Sequence, residues 1–507
     1  MTARPQPDVD VDVLIVGAGL SGIAAAYYLQ RAHPARRYAI VEGRGAIGGT
    51  WDLFRYPGIR SDSDMYTLGY SFAPWTGRKA IADGASIRAY IEDTARAHGI
   101  DRHIRFHHRV THAAWSSEHA RWTVELTRTD TGEAVRLTCN FLYMCSGYYA
   151  YDRGHEPDIP DAARYRGRIV HPQHWPEELD HAGKRVVVIG SGATAVTLVP
   201  ALAETAAHVT MLQRSPTYVL SRPAEDRLAQ RLARTLPART VAELTRWKYV
   251  LAGAAFYQFC RRFPARARAL IRAGVRAQLP ADFDIDTHFA PRYAPWDQRL
   301  CLVPDGDLFK TLASGKADIV TDEIVRYTPT GLALRSGRTL DADIVVTATG
   351  LRLLFLGGMT LEVDGRAIDP GTTRVYRATM LSGVPNLAMS VGYTNASWTL
   401  RCELIAGYVC RLLAHMDRLS HASVTAVPVC GDDAEAEPLL GLASGYVLRA
   451  VDAFPRQGAR DPWKMHQSYL RDVVGFRAKP IDDARLVFGG PSRAAARPVT
   501  PRTAATA

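Results

Sequence analysis

Three features of the 507-residue sequence predict an α/β protein with two Rossmann-like dinucleotide-binding domains, the second inserted into the first and carrying a helical insertion. An apolar run at 11–16 empties into Gly17-Ala18-Gly19-Leu20-Ser21-Gly22 and a stretch of helical character. The same design recurs at 185–189, followed by Gly190-Ser191-Gly192-Ala193-Thr194-Ala195. Two further apolar runs, 141–144 and 343–346, end in small residues. A strand that passes through a glycine loop into a helix is the unit that holds a pyrophosphate at a helix N-terminus.

Taken in order, the first unit continues through a helix at 23–31 and a strand at 38–41 that stops at Glu42. The strand at 141–144, followed by Cys145, Ser146 and Gly147, reads as the exit from the first domain. The second unit has a helix to about 204 and a strand at 208–212 that leads into Gln213 and Arg214. Residues 222–290 read as helical and interrupt the alternating pattern. The run at 343–346, before Thr347 and Gly350, reads as the return to the first domain. The expected division is 1–150 and 345–490 for the first domain and 165–340 for the second. The tail at 491–507, rich in Ala, Arg, Pro and Thr without an apolar period, is expected to be disordered.

Hydrophobic residues make up 47% and charged residues 22%, as in ordinary globular proteins. The seven cysteines (139, 145, 260, 301, 402, 410 and 430) form no C-x-x-C pair, which predicts reduced thiols in a cytoplasmic protein. The N-terminus lacks the basic and apolar regions of a secretory signal. The longest apolar run, 249–260, falls short of the ~20 residues a membrane span needs.

Net charge is +11, and residues 222–277 carry nearly all of it, with twelve arginines and Lys248 against Glu225, Asp226 and Glu243. No nucleic-acid reading motif accompanies this segment, so nucleic acid is not expected as a partner. Arg268, Arg272 and Arg276 recur every fourth residue beside Ile271, Val275 and Leu279. That spacing predicts a helix packed over the second domain with its arginines solvated. Weak peripheral contact with anionic lipid is the alternative reading of the same stripe.

The glycine loops specify chemistry through their context. Gly17 permits the tight turn, Gly19 lets backbone amides approach a pyrophosphate, and Gly22 lets the helix pack on the sheet. Glu42, twenty positions beyond Gly22, can accept hydrogen bonds from ribose hydroxyls, so the first site is expected to take FAD. In the second unit Gln213 and Arg214 replace that carboxylate. A guanidinium pairs with a 2′-phosphate that a carboxylate would repel, so the second site is expected to take NADPH. Electrons would then pass from NADPH to FAD. Without a cysteine pair to receive them, the remaining common acceptor is O2.

Two longer motifs carry a resemblance. Gly48, Gly49, Trp51, Tyr56, Pro57, Gly58 and Asp62 fit the A/G-G-x-W-x4-F/Y-P-G/M-x3-D signature of Baeyer–Villiger monooxygenases. Tyr165, Gly167, His171, Trp175 and Pro176 resemble their FxGxxxHxxxWP fingerprint, with Tyr165 in place of Phe. The segments 51–69, 171–176, 295–304 and 392–399 look like the ethionamide-activating branch of that family, and the similarity extends from Val11 to about Phe488. The resemblance implies conversion of ketones to esters or lactones through a C4a-peroxyflavin, with sulfoxidation of thioethers alongside. It assigns Arg299 as the fixed positive charge facing the peroxide anion and Asp62 as the group that orients it, in keeping with the need for preorganised charge in a dry site. The cofactor-contacting set expected is Gly17, Gly19, Ser21, Gly22, Glu42, Gly49, Thr50, Trp51, Asp62, Val110, Gly190, Ser191, Gly192, Ala193, Thr194, Ala195, Gln213 and Arg214.

His171 and Trp175 are expected to serve as a linker that couples domain motion to the reaction, not as an acid or base. The cluster His103, His107, His108 and His112 alternates with Ile104 and Phe106, which predicts a strand with its polar side outward and no metal. Leu351 follows Gly350 where many relatives have an aromatic residue, so substrate range is not carried over. Two other functions stay open at this stage. One is a flavin monooxygenase acting mainly on nitrogen or sulfur, against which Trp175, Asp62 and Arg299 argue. The other is a non-catalytic NADPH sensor, which would need neither Asp62 nor Arg299. The sequence does not specify the oligomeric state.

Overall fold

The computed structural model describes residues 9–429, 432 and 436–490. The expected disordered tail lies outside them. Two sheets organise the chain. The larger has nine strands and is parallel at its centre, where Val11–Val16 lies between Tyr38–Val41 and Ala134–Met144 in the register Val16↔Val41 and Val16↔Met144. Parallel central strands are covered on both faces, which explains why Tyr38–Val41 is buried at every position instead of alternating. Beyond Ala134–Met144 the sheet continues as an antiparallel meander through Arg121–Arg128 and His108–Ser116. Helix Leu20–Ala32 covers one face together with the long helix Trp398–Arg418.

The second sheet is parallel throughout, in the order Ala317–Thr321, His208–Gln213, Arg185–Ile189, Ile344–Thr347, Arg168–Val170. This corrects the expected boundary. The strand at 344–347 does not return the chain to the first domain. It inserts between Arg185–Ile189 and Arg168–Val170 as part of the second. The return follows at 348–354, where it runs beside the exit. Tyr149 bridges Leu353, the Ala150 amide donates to the Arg352 carbonyl at 2.9 Å, and the Leu354 amide donates to the Tyr148 carbonyl at 2.9 Å. The two crossovers form one short antiparallel ribbon.

The helical insertion contains Arg227–Leu232, Ala238–Arg262, Pro264–Arg276 and Ile285–His288. It is closed at its base by Val219–Arg222 pairing with Cys301–Pro304. The long helix stops at Phe263 because Pro264 cannot continue it but suits the first turn of the next. Ala267, Ile271 and Val275 form the buried stripe of that next helix. Its arginine stripe is not simply solvated, and this corrects the sequence reading. Arg272 pairs with Asp286 at 2.6 Å, Arg268 Nε donates to Tyr218 Oη at 3.2 Å, and Arg276 donates to the Phe283 carbonyl at 2.9 Å. The insertion is pinned to the first domain by Arg246, which donates to the Gly69 carbonyl at 2.7 Å and pairs with buried Glu403 at 2.7 Å.

The histidine cluster departs from its expected single strand. His103 ends a 3-10 turn, and His107 takes a left-handed φ of +61°. That turn breaks the chain between the two-residue strand Ile104–Arg105 and His108–Ser116. Among the described residues no three His, Cys, Asp or Glu side chains form a metal-binding group, and no helix is long and apolar enough to cross a membrane.

Candidate active site

Both glycine loops open on one cavity of about 1330 Å³. On the first side, Gly17, Gly19, Ser21, Glu42, Gly49, Thr50, Trp51, Asp62 and Val110 all line it. Helix Leu20–Ala32 begins at Gly19 with no side-chain cap, so the amides of its first turn are left for a ligand. Gly22 does not line the cavity. A Cβ there would stand 1.8 Å from the Gly17 carbonyl oxygen, so the helix can cross the turn this closely only with glycine. Glu42 is 7% exposed and holds its carboxylate with two backbone donors, Ala18 at 2.8 Å and Arg44 at 2.9 Å. Burial pushes its pKa up, and these amides only partly offset that. A buried carboxylate at a strand end, facing a cavity, suits a ribose diol.

The Gly48–Leu53 turn is fixed from below by Asp52. Its buried carboxylate meets Arg44 at 2.5 Å, Arg55 at 3.0 Å and Arg88 at 3.3 Å. Burial alone would raise the Asp52 pKa, but the guanidinium groups outweigh it and hold the carboxyl below its usual range. Ser21 is fixed from the far end of the chain: Trp398 Nε1 donates to its Oγ at 2.9 Å.

On the second side, Gly190, Ser191, Gly192, Ala193, Thr194 and Arg214 line the cavity. Gly190 has φ +132°, and a Cβ there would lie 2.4 Å from the Ala348 carbonyl oxygen, so this turn requires glycine too. Helix Ala193–Leu202 also starts without a side-chain cap, at Gly192. Arg214 is exposed, and its side chain has no hydrogen bond or ion pair among the described residues. Ala195 is fully buried in the domain core and Gln213 is 2% exposed. Gln213 is the clear departure from the expected cofactor set. Its amide donates to the His288 carbonyl and to Thr321 Oγ1, both at 2.9 Å, on the side of the strand away from the cavity.

Asp62 and Arg299 meet as an ion pair between the two loops, 34% and 35% exposed. They are 237 residues apart in the chain. The Asp62 carboxylate raises the Arg299 pKa, so the guanidinium is charged at every relevant pH. Tyr148, Tyr149 and Tyr446 surround it with aromatic surface. Arg60, two residues before Asp62, pairs with Asp307, so one loop of the first domain grips the second twice. The three tyrosines were missed by sequence reasoning. Tyr148 and Tyr149 follow directly on a strand ending in Ser146 and Gly147, and residues beyond the carboxyl end of such a strand face the ligand crevice. Tyr446 comes from the one-turn helix Gly445–Leu448, which carries no motif, and the sequence held no signal for it.

His171 and Trp175 lie away from this pair, beside the crossover ribbon. His171 caps the 3-10 turn Pro172–His174, its Nδ1 accepting from the Gln173 amide at 3.1 Å. The Gln173 side-chain amide donates to the Ala150 carbonyl at 2.8 Å. The fingerprint thus fastens the outgoing connection to the second domain.

Comparison with known proteins agrees with this arrangement. The model for flavin-binding monooxygenase-like proteins matches residues 80–240, and that for NAD(P)-binding Rossmann-like domains matches 15–75. The FAD-containing monooxygenase EthA of Mycobacterium tuberculosis (strain ATCC 25618 / H37Rv) is 54% identical over 479 residues, covering 94% of this chain and 97% of that protein. The probable FAD-binding monooxygenase AlmA of Acinetobacter baylyi is 45% identical over 482 residues, covering 94% and 96%. Oxidized steroid monooxygenase bound to NADP superposes with a TM-score of 0.74 at 26% identity, covering 95% of this chain and all of that one. Two nested dinucleotide domains around a shared cavity, with these relatives, define a flavin-dependent monooxygenase of Baeyer–Villiger type. The chain belongs to the family of FAD-containing monooxygenases that includes EthA and AlmA.

Proposed function

We propose that this enzyme binds FAD at the Gly17–Glu42 unit and NADPH at the Gly190–Arg214 unit, and that it converts ketones to esters or lactones. In the overall reaction NADPH, a proton, O2 and a ketone give NADP+, water and the ester. Sulfoxidation of thioethers is the accompanying activity. Bound flavin, once reduced by NADPH, supplies the electrons that activate O2. The single observation that carries the proposal is the Arg299–Asp62 pair at the meeting of the two glycine loops.

The protein's own residues do the rest. The free amides of the two helix N-termini bind the two pyrophosphates, and Glu42 accepts from the ribose of FAD. Arg214 pairs with the 2′-phosphate of NADPH. Arg299 supplies a permanent positive charge where negative charge builds on oxygen, and Asp62 fixes the direction of its guanidinium. Tyr148, Tyr149 and Tyr446 wall the pair with aromatic surface and limit water, and Trp398 packs behind Tyr148.

Product analysis of purified enzyme with FAD, NADPH and a panel of ketones and thioethers tests the reading. Ester or lactone formed in proportion to NADPH consumed supports it. Sulfoxide without any ester from the ketones would instead identify a heteroatom oxygenase, and NADPH binding without oxygen consumption would identify a sensor.

A further inference from the structure

Helix Ala238–Arg262 lines the cavity along its C-terminal half, through Val250, Ala254 and Phe256, and carries bare apolar side chains from its N-terminal half to its middle. Leu244, Trp247 and Leu251 are 51%, 45% and 52% exposed, and their spacing places them on one side of the helix. Trp247 leans on Tyr469 at 6.1 Å between ring centroids, and helix Tyr469–Arg477 adds Leu470 and Val474, 42% and 58% exposed. Five large apolar side chains are thus exposed on two helices that meet at Trp247 and Tyr469. A monomeric soluble protein seldom leaves such a patch open without a use for it.

The rim is basic. Asp226 caps the short helix Arg227–Leu232 and pairs with Lys248, the residue after Trp247, which ties that short helix to the long one. Arg231 is on that short helix and Arg234 just beyond it, Arg262 ends the long helix, and Arg477 ends the neighbouring one. All four are exposed, and their side chains make no ion pair or hydrogen bond among the described residues. They differ in this from Arg268, Arg272 and Arg276, whose side chains are occupied. Ala252 is exposed and also lines the cavity, so the patch borders an opening.

We propose that this face docks on an anionic lipid surface, with Leu244, Trp247, Leu251, Leu470 and Val474 in the boundary between headgroups and acyl chains and the four arginines on lipid phosphates. An apolar face edged by basic residues and lying flat is the pattern of an interfacial helix. A second copy of the chain fits less well, because a two-fold pairing through this face would bring its own arginine rims together. The opening beside Ala252 would then receive apolar substrate from the bilayer.

The test is co-sedimentation of the full-length holoenzyme with vesicles of phosphatidylcholine alone and of phosphatidylcholine with phosphatidylglycerol, at low and high salt. We expect binding at least about tenfold tighter to the anionic vesicles, weakened by salt. The double variant L244S/L251S is expected to lose about tenfold in vesicle binding while keeping its NADPH oxidation with a water-soluble ketone. R231E/R234E/R262E is expected to lose the preference for anionic lipid. Equal binding to both vesicles, no binding, or wild-type binding by both variants overturns the proposal. So does sedimentation velocity without lipid that shows self-association abolished by L244S/L251S.

Discussion

Arg299 and Asp62 hold each other in a geometry that neither would keep alone, since each comes from a loop. The R299A variant should therefore separate the two halves of the reaction. Flavin reduction by NADPH is expected to stay near the wild-type rate, while product formation falls by about 10²–10³-fold and oxygen consumption turns to hydrogen peroxide. Stopped-flow reduction together with a peroxide assay reads both. Arg214 offers a test of equal sharpness at the other loop. R214A should raise the KM for NADPH by about 10- to 100-fold, the loss of ~1.5–3 kcal/mol from a charged hydrogen bond, and leave that for NADH nearly unchanged. Its neighbour Gln213 shows where sequence reading failed at this scale. Consecutive residues of a strand point to opposite faces, so a pair at a strand end cannot both reach the ligand. Arg214 faces the cavity and Gln213 the core. The alternation was there to be used. Tyr446, by contrast, reaches Arg299 only through the tertiary placement of a one-turn helix, and no local pattern announces it.

At the scale of the element, the two βα units were legible almost in full because their signal is local. Strand, glycine turn and helix are contiguous, and the steric demand that selects glycine acts between near neighbours. Gly22→Ala puts a methyl group into the Gly17 carbonyl. We expect it to cost about 1–3 kcal/mol in stability and to lower FAD retention on gel filtration, whereas alanine at exposed Gly274, in the helical insertion and away from the cavity, should lower neither. The strand at 344–347 was found but misassigned. Its composition announces a buried parallel strand, and nothing in it says which of two parallel sheets it joins. That is decided by pairing with residues some 160–180 positions earlier. The histidine segment failed for a different reason. Alternation suggested one strand, but the left-handed turn at His107 splits it, and a non-glycine residue there gives no sequence warning.

Across the whole molecule, the domains are coupled through ion pairs, backbone bonds and the crossover ribbon, and one contact at the ribbon depends on pH. Burial holds the His171 imidazole below its ordinary pKa of about 6.5, and the neutral ring accepts the Gln173 amide. A histidine depressed in the folded state contributes stability that is present above the unfolded pKa and lost as pH falls. His155, at the same ribbon, is depressed by burial as well. The thermal midpoint should therefore decline as pH drops below about 6.5. H171N, which keeps a capping acceptor without a proton to gain, should flatten that decline in a differential scanning fluorimetry series. A decline equally steep in H171N would remove this histidine from the acid response.

The ribbon at 148–150 and 352–354 also bears on how one domain can sit inside the other. The second domain starts and finishes at one place, with its two ends within a single strand spacing of each other. A module whose ends meet can be spliced into a host loop without stretching either partner. The host sheet needs only a hairpin's worth of distance at the point of entry, and the guest arrives already closed. In this geometry each domain keeps its own sheet and core, and a single short ribbon is the whole covalent joint between them.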